Sequence, residues 1–467
     1  MGALYNSFER DLLDAPKCHP HTRVAVINKL IDWLTGKIDD QALIMWLYGA
    51  AGAGKSAIAH TLAEICDEKG WLLATFFFWK TAPERNNASR FVATIAHQIA
   101  QAIPAVREFI EAALNDSRHV LDLSMDTQLS KLILEPLVRL HSTGFNFQNC
   151  PFAIIVDGLD ECQCKDIQSK VVKSLAAAFH RSPLRIRILI ASRPEVYLKS
   201  TFNSSPIQPH LTRLALSDEY SPEKDIYQFL KDSFDKIRRE HPLAHYIPSS
   251  WSWPSSDILD ELTKKSSGQF IFASTTVKYI GGDPHQLPHR RLDVVRRLQP
   301  PKGEKDMPYA ELNSLYHHVL SNVDDIEALK QVLGFLIIIC PVLVGIDWID
   351  STDGVDDFFF WQPGEMEACL SQLASIIEVS RYRKISILHA SLSDFLLDPS
   401  RSRQFYLCRE SILGDCAALG LCRLRQQAAL SCGSFLLFQK FILGVLICRM
   451  FYSREEPLLC GYCYRMH

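Results

Sequence analysis

The chain is organised around the stretch Gly49-Ala50-Ala51-Gly52-Ala53-Gly54-Lys55-Ser56. This stretch fits the pattern G-x-x-x-x-G-K-[ST] of a phosphate-binding loop, in which glycines let the backbone curl so that several N–H groups point at one anion. In that pattern the lysine, here Lys55, reaches the β and γ phosphates, and the hydroxyl, here Ser56, holds Mg²⁺. The stretch therefore predicts a site for ATP or ADP.

The residues on both sides of the loop agree with this prediction. Residues 42–48 are an apolar run typical of a buried strand, and residues 55–69 follow a helical pattern that ends at Gly70. The positive end of that helix adds to a phosphate site. The alternative is a chance turn rich in glycine and alanine. The predicted nucleotide contacts of this stretch are Gly49, Gly52, Ala53, Gly54, Lys55, Ser56 and Ala57.

Length, composition and charge bound the class of protein. With 467 residues the chain is too long for one core, and 47% hydrophobic and 22% charged residues are typical of globular domains. A net charge of −3 offers no electrostatic reason to expect nucleic acid or an anionic membrane as the main partner. The first residues lack the apolar core of a signal peptide, and the 14 cysteines show no disulfide framework or zinc spacing. We expect a cytoplasmic protein with reduced thiols.

Residues 18–215 alternate apolar runs with helical patterns, which predicts an α/β fold with a parallel sheet and helices on both faces. Further along, the patterns predict mostly helices. The predicted strands are 42–48, 72–79, 152–156, 186–191 and, near the end, 385–388. The predicted helices lie near 24–35, 55–69, 88–103, 128–141, 168–180, 268–280 and 390–397.

The predicted strand at 152–156 ends in acidic residues, in the order Asp157-Gly158-Leu159-Asp160-Glu161. Ligands bind at the carboxyl ends of parallel strands. Asp157 is accordingly the expected partner of Mg²⁺, through water. Asp160 and Glu161 can polarise an attacking water. The alternative is a strand that simply leads into a polar turn.

Arg193 follows the next predicted strand, within Ser192-Arg193-Pro194-Glu195. A guanidinium offers a fork of donors to phosphate oxygens, so Arg193 is a candidate sensor of the γ-phosphate. The alternative is an ordinary ion-paired arginine in a loop.

These two strand ends together resemble the NACHT family of signal-transduction P-loop NTPases, which belongs to the STAND class and forms the core of NOD-like receptors. Residues 18–23, Cys-His-Pro-His-Thr-Arg, resemble the N-terminal segment of fungal NACHT proteins and of the nephrocystin-type N-terminal P-loop domain. That segment usually reads Cys-x-x-Gly-Thr-Arg, and His21 stands here at the glycine position. The resemblance implies that Arg23 belongs to the nucleotide-binding residues.

Two later motifs extend the resemblance. Residues 267–274, SGQFIFAS, resemble the helical-domain motif that closes over the adenine. The resemblance implies that Phe270 offers the face of its ring to the adenine. Residues 388–398, LHASLSDFLLD, resemble the end of a winged-helix domain. In relatives a histidine at that place contacts the β-phosphate of ADP and holds the closed form, so His389 is the candidate here. The alternative is a structural histidine that begins a helix.

The resemblance implies an order of domains. A segment at 1–17 precedes the P-loop NTPase domain at 18–215, followed by a helical domain at 216–300 and a winged-helix-like domain at 301–410. We expect that the cysteine-rich tail, 411–467, is not a designed domain, because the composition changes abruptly there. Its apolar run is interrupted by Gln439 and Lys440, which argues against a membrane helix, and Cys460 and Cys463 alone are a poor zinc site.

The function implied by the resemblance is a nucleotide-gated switch in fungal non-self recognition or programmed cell death. ADP would hold such a switch closed, with slow ATP hydrolysis, Mg²⁺ as the metal, and protein partners engaged through nucleotide-driven oligomerisation. Two alternatives stay open. One is a nucleotide-binding scaffold or decoy without effector and sensor domains. The other is a P-loop ATPase working in a ring, which would need an arginine finger supplied in trans.

Overall fold

The computed structural model describes residues 16–116, 119–145, 152–180, 186–216, 220, 222–248, 253–301, 309–343, 350–380 and 382–427. The chain divides into two compact units. Most of the tail predicted to begin at residue 411, including Gln439, Lys440, Cys460 and Cys463, lies outside the described residues.

The first unit comprises Met1–Lys80 and Glu84–Asp225 and contains a parallel sheet. Five described strands pair in the order β2-β3-β4-β1-β5. This arrangement confirms the predicted α/β fold. The strands are Ile44–Tyr48 (β1), Leu72–Phe77 (β2), Phe152–Asp157 (β3), Ile186–Ser192 (β4) and Leu211–Ala215 (β5).

The last of these strands was not predicted. It lies at the edge of the sheet beside β1, and its residues are mostly half-buried. An edge strand with Thr212 and Arg213 in its middle has no continuous apolar run, which is the signal that identified the other strands.

Helices cover both faces of this sheet. Along the central strands, alternate side chains point to opposite faces. Val156 and Ile190 lie in the core that contains α3 and α7, whereas Ile155 and Leu189 lie in the core that contains α1 and α2. The helices are Val24–Leu34 (α1), Lys55–Glu68 (α2), Phe91–Ala102 (α3), Arg107–Asp116 (α4), Met125–Leu129 (α5), Glu135–Ser142 (α6), Lys165–His180 (α7) and Val196–Phe202 (α8).

The second unit comprises Thr81–Pro83 and Ile226–His467 and is largely helical in its described part. Two short strands, Ile377–Val379 (β6) and Ile385–Ile387 (β7), pair antiparallel. The helices are Pro222–Glu240 (α9, which begins in the first unit), Ser256–Ser266 (α10), Phe270–Gly281 (α11), Pro288–Arg297 (α12), Ala310–Leu320 (α13), Ile326–Gly334 (α14), Thr352–Phe359 (α15), Glu365–Leu370 (α16), Ala390–Leu396 (α17), Pro399–Ser402 (α18) and Arg409–Gln427 (α19).

The predicted helices near 268–280 and 390–397 and the predicted strand at 385–388 are confirmed within a residue or two. The division of this part of the chain into a helical domain and a winged-helix-like domain at residue 300 stays a prediction. In the described part of the chain, no helix combines the length and the apolar character needed to cross a bilayer.

Candidate nucleotide-binding site

The predicted phosphate-binding loop connects β1 to α2. Gly52 and Gly54 have φ of 75° and 90°, a left-handed conformation that glycine adopts without steric cost. Gly54 is the N-cap of α2, and no described side chain caps the helix there. The first N–H groups of α2 thus have the arrangement found where helix N-termini bind anions, and their contact with phosphate stays a prediction.

Lys55 is the first residue of α2. Its Nζ atom donates hydrogen bonds of 2.9 Å to the carbonyl oxygens of Gly49 and Ala50. Burial lowers the pKa of Lys55. Of the charged groups that act on it, Asp160 has the largest effect and opposes that shift, Arg193 reinforces it, and Asp157 and Glu161 oppose it. The lysine and the charged residues that end β3 and β4 thus form one electrostatic cluster.

The acidic turn after β3 begins with a glycine whose conformation is required. Asp157, the last residue of β3, is 3% exposed. Gly158 has φ of 67°, and a Cβ there would lie 3.1 Å from the carbonyl oxygen of Phe78. A side chain at Gly158 would meet both backbone strain and a close contact with main chain. The turn therefore lies tightly against the segment that follows β2.

Glu161 ends the short helical turn after Gly158. Its Oε2 atom accepts a hydrogen bond of 3.0 Å from the backbone N–H of Lys80. Burial, reinforced by the charge of Asp160, raises the pKa of Glu161 to about 7. A carboxyl group with such a pKa is a suitable general base near neutral pH, because a catalytic pKa close to the operating pH is the most effective.

Asp160 binds Arg193 through both carboxylate oxygens. Its Oδ1 atom accepts a hydrogen bond of 2.9 Å from the Arg193 backbone N–H, and its Oδ2 atom lies 3.1 Å from the Arg193 Nε. The neighbouring Ser192 is fully buried, and its Oγ accepts a hydrogen bond of 2.9 Å from Trp46 Nε1 in β1. This geometry favours a role for Asp160 in orienting Arg193, and its predicted role in polarising water stays a prediction.

Arg23 lies directly beside the phosphate-binding loop. It is the N-cap of α1, with φ of 57°, and it is 4% exposed. Its Nη2 donates a hydrogen bond of 2.9 Å to the carbonyl oxygen of Ala53, and its backbone N–H donates one of 3.0 Å to Asp225 Oδ2. Two residues earlier, His21 has φ of 65° and so adopts the conformation that the usual glycine would favour.

Phe270 and His389 belong to the second unit. Phe270 is the first residue of α11, and its ring centroid lies 6.2 Å from that of Phe229. His389 is the N-cap of α17. Its Nδ1 accepts a hydrogen bond of 3.0 Å from the Ser391 backbone N–H and lies 2.6 Å from Ser391 Oγ. These contacts favour the interpretation of His389 as a histidine that begins a helix, and the nucleotide roles of Phe270 and His389 stay predictions.

The residues predicted to hold Mg²⁺ have suitable chemistry. Ser56 offers a hydroxyl oxygen and Asp157 a carboxylate, the hard oxygen ligands that Mg²⁺ prefers. Among the described residues, no group of three or more histidine, cysteine, aspartate or glutamate side chains is arranged to hold a metal. Mg²⁺ is usually held by one or two protein groups together with water and substrate phosphates, so one hydroxyl and one carboxylate are a sufficient contribution from the protein.

Sequence reasoning missed two partners in this site, Asp225 and the backbone N–H of Lys80. Neither carries a sequence signal. Asp225 lies 202 positions from Arg23, and a backbone N–H is present at every residue except proline.

The parallel sheet, the glycine loop between β1 and α2, and the charged ends of β3 and β4 define the fold of a P-loop NTPase. Residues 27–193 match the family model described as Nephrocystin 3, N-terminal. That match covers the loop, the acidic strand end and Arg193, and it supports a P-loop NTPase that binds nucleotide. No curated protein is significantly similar in sequence to this chain.

Among the solved structures with some similarity are three from different organisms. A structure of C. elegans PCH-2 has 10% identity and a TM-score of 0.36, over 68% of this chain and 74% of the other. Cdc6p from Pyrobaculum aerophilum has 16% identity and a TM-score of 0.35, over 85% and 97%. Drosophila ORC bound to DNA has 11% identity and a TM-score of 0.35, over 79% and 84%. Because these TM-scores are low, the fold assignment depends on the sheet and the loop themselves.

Proposed function

We propose that this chain is a nucleotide-gated switch of the NACHT type that binds ADP and ATP with Mg²⁺ and hydrolyses ATP slowly. Its biological setting in this proposal is signal transduction in fungal non-self recognition or programmed cell death. The observation that carries the nucleotide-binding part is the loop between β1 and α2, in which Gly52 and Gly54 are left-handed and α2 begins at Lys55. Beside it, Lys55 forms a charged cluster with Asp157, Asp160, Glu161 and Arg193. A cluster of this composition is what phosphoryl binding and transfer require.

Each residue of the cluster has a distinct role in this proposal. The N–H groups at the start of α2 and the Lys55 ammonium bind the β and γ phosphates. Ser56 and Asp157 hold Mg²⁺, which neutralises phosphate charge. Arg193 contacts the γ-phosphate. Its attachment to Asp160 supports this role, because a guanidinium fixed in advance loses little entropy on binding.

The surroundings of Glu161 support slow hydrolysis. Its carboxylate accepts a hydrogen bond from the backbone N–H of Lys80, which occupies one of the two oxygens that could take a proton from water. A hydrogen bond to the charged form also stabilises that form and so weakens it as a base. Slow turnover suits a switch, in which the identity of the bound nucleotide sets the state.

The gating step follows from differential binding. A nucleotide shifts the equilibrium between two conformations only by the difference between its affinities for them. In this proposal Phe270 and His389 supply contacts to ADP that exist in the closed form alone. Exchange of ADP for ATP then removes the preference for that form and permits oligomerisation.

The first experiment is to purify the full chain, denature it, and identify the released nucleotide by chromatography. Stoichiometric ADP in the wild type, with none in a Lys55→Ala variant prepared in parallel, supports a switch closed by ADP. An empty protein that turns ATP over rapidly contradicts the switch and favours a working ATPase. An empty protein that binds neither nucleotide contradicts nucleotide binding altogether.

A further inference from the structure

Leu216, the residue that follows β5, lies directly beside the first residue of the phosphate-binding loop. Leu216 donates its backbone N–H to the carbonyl oxygen of Tyr48 at 2.8 Å. A Cβ added at Gly49, the first residue of the loop, would lie 3.1 Å from Leu216 Cβ. The close approach of these two backbone segments accounts for a glycine at position 49.

Two described residues of the segment that follows Leu216, Tyr220 and Asp225, contact α1 or its N-cap. Lys29 Nζ donates a hydrogen bond of 3.1 Å to the hydroxyl of Tyr220. Asp225 lies in the first turn of α9. Its Oδ2 accepts a hydrogen bond from the Arg23 backbone N–H and also lies 3.9 Å from Arg23 Nε. The first of these contacts is exposed, whereas the second involves a buried arginine.

Arg23 contacts the loop and this segment at once. Its Nη2 donates to the carbonyl oxygen of Ala53, the residue between the two left-handed glycines Gly52 and Gly54. In a trans peptide the C=O and the following N–H point in opposite directions. By binding the Ala53 carbonyl, Arg23 therefore directs the Gly54 N–H away from itself. Inward-facing N–H groups are what a phosphate-binding loop requires.

We propose that Arg23 is a positioning residue that holds the Ala53–Gly54 peptide in its phosphate-binding orientation, and that Asp225 couples this orientation to the first turn of α9. This proposal rests on the proposed function, because it needs a loop that binds nucleotide. When phosphate binds, the orientation of the Ala53–Gly54 peptide changes. Arg23, which binds the Ala53 carbonyl, transmits that change to Asp225. Since Asp225 lies in the first turn of α9, a change at Asp225 acts on the start of that helix.

A double-mutant cycle tests the coupling. ADP affinity is measured with a fluorescent analogue for the full-length wild type, Arg23→Gln, Asp225→Ala and the double variant. Each single variant should bind ADP about tenfold more weakly, as expected for a lost hydrogen bond to a charged group. The double variant should be no weaker than the worse single one, because both changes break the same connection. Additive losses overturn the proposal.

The matched control is the other attachment of the same segment. Lys29→Met and Tyr220→Phe remove the exposed contact between α1 and the segment, and they should leave ADP affinity within about twofold. An equal loss in these variants overturns the proposal, because any loosening of the segment would then suffice. Arg23→Lys keeps a cation beside Asp225 but lacks the forked guanidinium, so it should weaken ADP binding without lowering the melting temperature of the empty protein.

Hydrogen exchange provides a readout that a merely structural role would not change. In the wild type, ADP should slow amide exchange in the first turn of α9, and in Arg23→Lys this protection should be lost. Protection that persists in Arg23→Lys overturns the coupling even if affinity falls. Failure of the proposed function is distinct, since the wild type and Lys55→Ala would then be equally unable to bind ADP.

Discussion

The phosphate-binding loop and the segment around His389 were both predicted to contact nucleotide, yet their polar groups are satisfied in different ways. At the loop, charged side chains collect although burial disfavours their charges: it lowers the pKa of Lys55 and raises that of Glu161. At His389, the ring nitrogen Nδ1 contacts Ser391, whose Oγ lies 2.8 Å from the hydroxyl of Tyr316. These hydrogen bonds among His389, Ser391 and Tyr316 can form between uncharged groups.

This difference separates the two regions: the contacts of His389 can be explained by the stability of the fold alone, whereas the charged cluster at the loop cannot. A helix-capping histidine within a local network stabilises its own helix, as any N-cap does. A cluster in which a lysine and several acids are held under desolvation does not favour folding in this way. Perturbed charges of this kind concentrate at functional sites, so the loop is the stronger candidate. Substitutions in the two regions test this contrast.

The largest effect is expected for Lys55→Ala. Removing the ammonium that reaches the β and γ phosphates should weaken ATP and ADP binding by about a hundredfold or more. Isothermal titration measures it, with Lys69→Ala at the other end of α2 as the control. Unaltered ATP affinity in Lys55→Ala would show that this loop is not a phosphate site.

Glu161→Gln should retain nucleotide and reduce ATP turnover by about a hundredfold or more, as for the loss of a general base. The wild-type rate should rise as the pH passes about 7, where Glu161 ionises, and the variant should lack this rise. Phosphate release measured across pH tests both points. A variant with the wild-type profile would exclude Glu161 as the base.

The same variant gives a stability prediction with a definite sign. Between pH 4.5 and about 7 the unfolded chain ionises Glu161 while the folded protein keeps its proton, so the wild type loses stability as the pH rises. Glu161→Gln should therefore be more stable than the wild type at pH 8, and this advantage should vanish below pH 4.5. Denaturant unfolding at the two pH values measures it, with the exposed Glu84→Gln as the control.

A smaller effect is expected at His389, where two substitutions separate the competing roles. His389→Ala removes both the helix cap and any phosphate contact, whereas asparagine in His389→Asn preserves a good cap. If His389 binds ADP, both variants should weaken the closed form by about 1–3 kcal/mol and open it constitutively. The rate of ADP release and the hydrodynamic radius report this. Compact, ADP-retaining His389→Ala protein would leave the histidine a structural role only.

The smallest effect is expected for His21→Gly. A left-handed conformation costs a residue with a side chain about 1–2 kcal/mol, and glycine relieves this cost. The greater conformational freedom of glycine in the unfolded chain cancels part of the gain in stability. The exposed His21 should therefore yield about 0.5 kcal/mol of stability when replaced by glycine. Thermal unfolding measures the change, and a destabilised variant would show that the His21 side chain makes a contact worth more than this strain.

Much of the fold could be predicted from local patterns. The central strands are continuous apolar runs because both of their faces are buried, and α2 ends where Gly70 takes φ of 67°. The edge strand β5 escaped prediction because half-exposed positions carry no such run. The candidate site shows the same limit. The residues of its sequence motifs were identified from the sequence, whereas two of their partners, Asp225 and the Lys80 backbone N–H, were not.

The sequence by itself determined the phosphate-binding loop, since the conformations of Gly52 and Gly54 and the start of α2 depend on residues close together in the chain. Only the tertiary structure decided which groups meet across it. Asp160 binds Arg193, Glu161 accepts from the Lys80 backbone, and Arg23 joins Ala53 to Asp225. The physical reason is that backbone preferences are local, whereas these contacts depend on the strand order and packing that bring distant segments together.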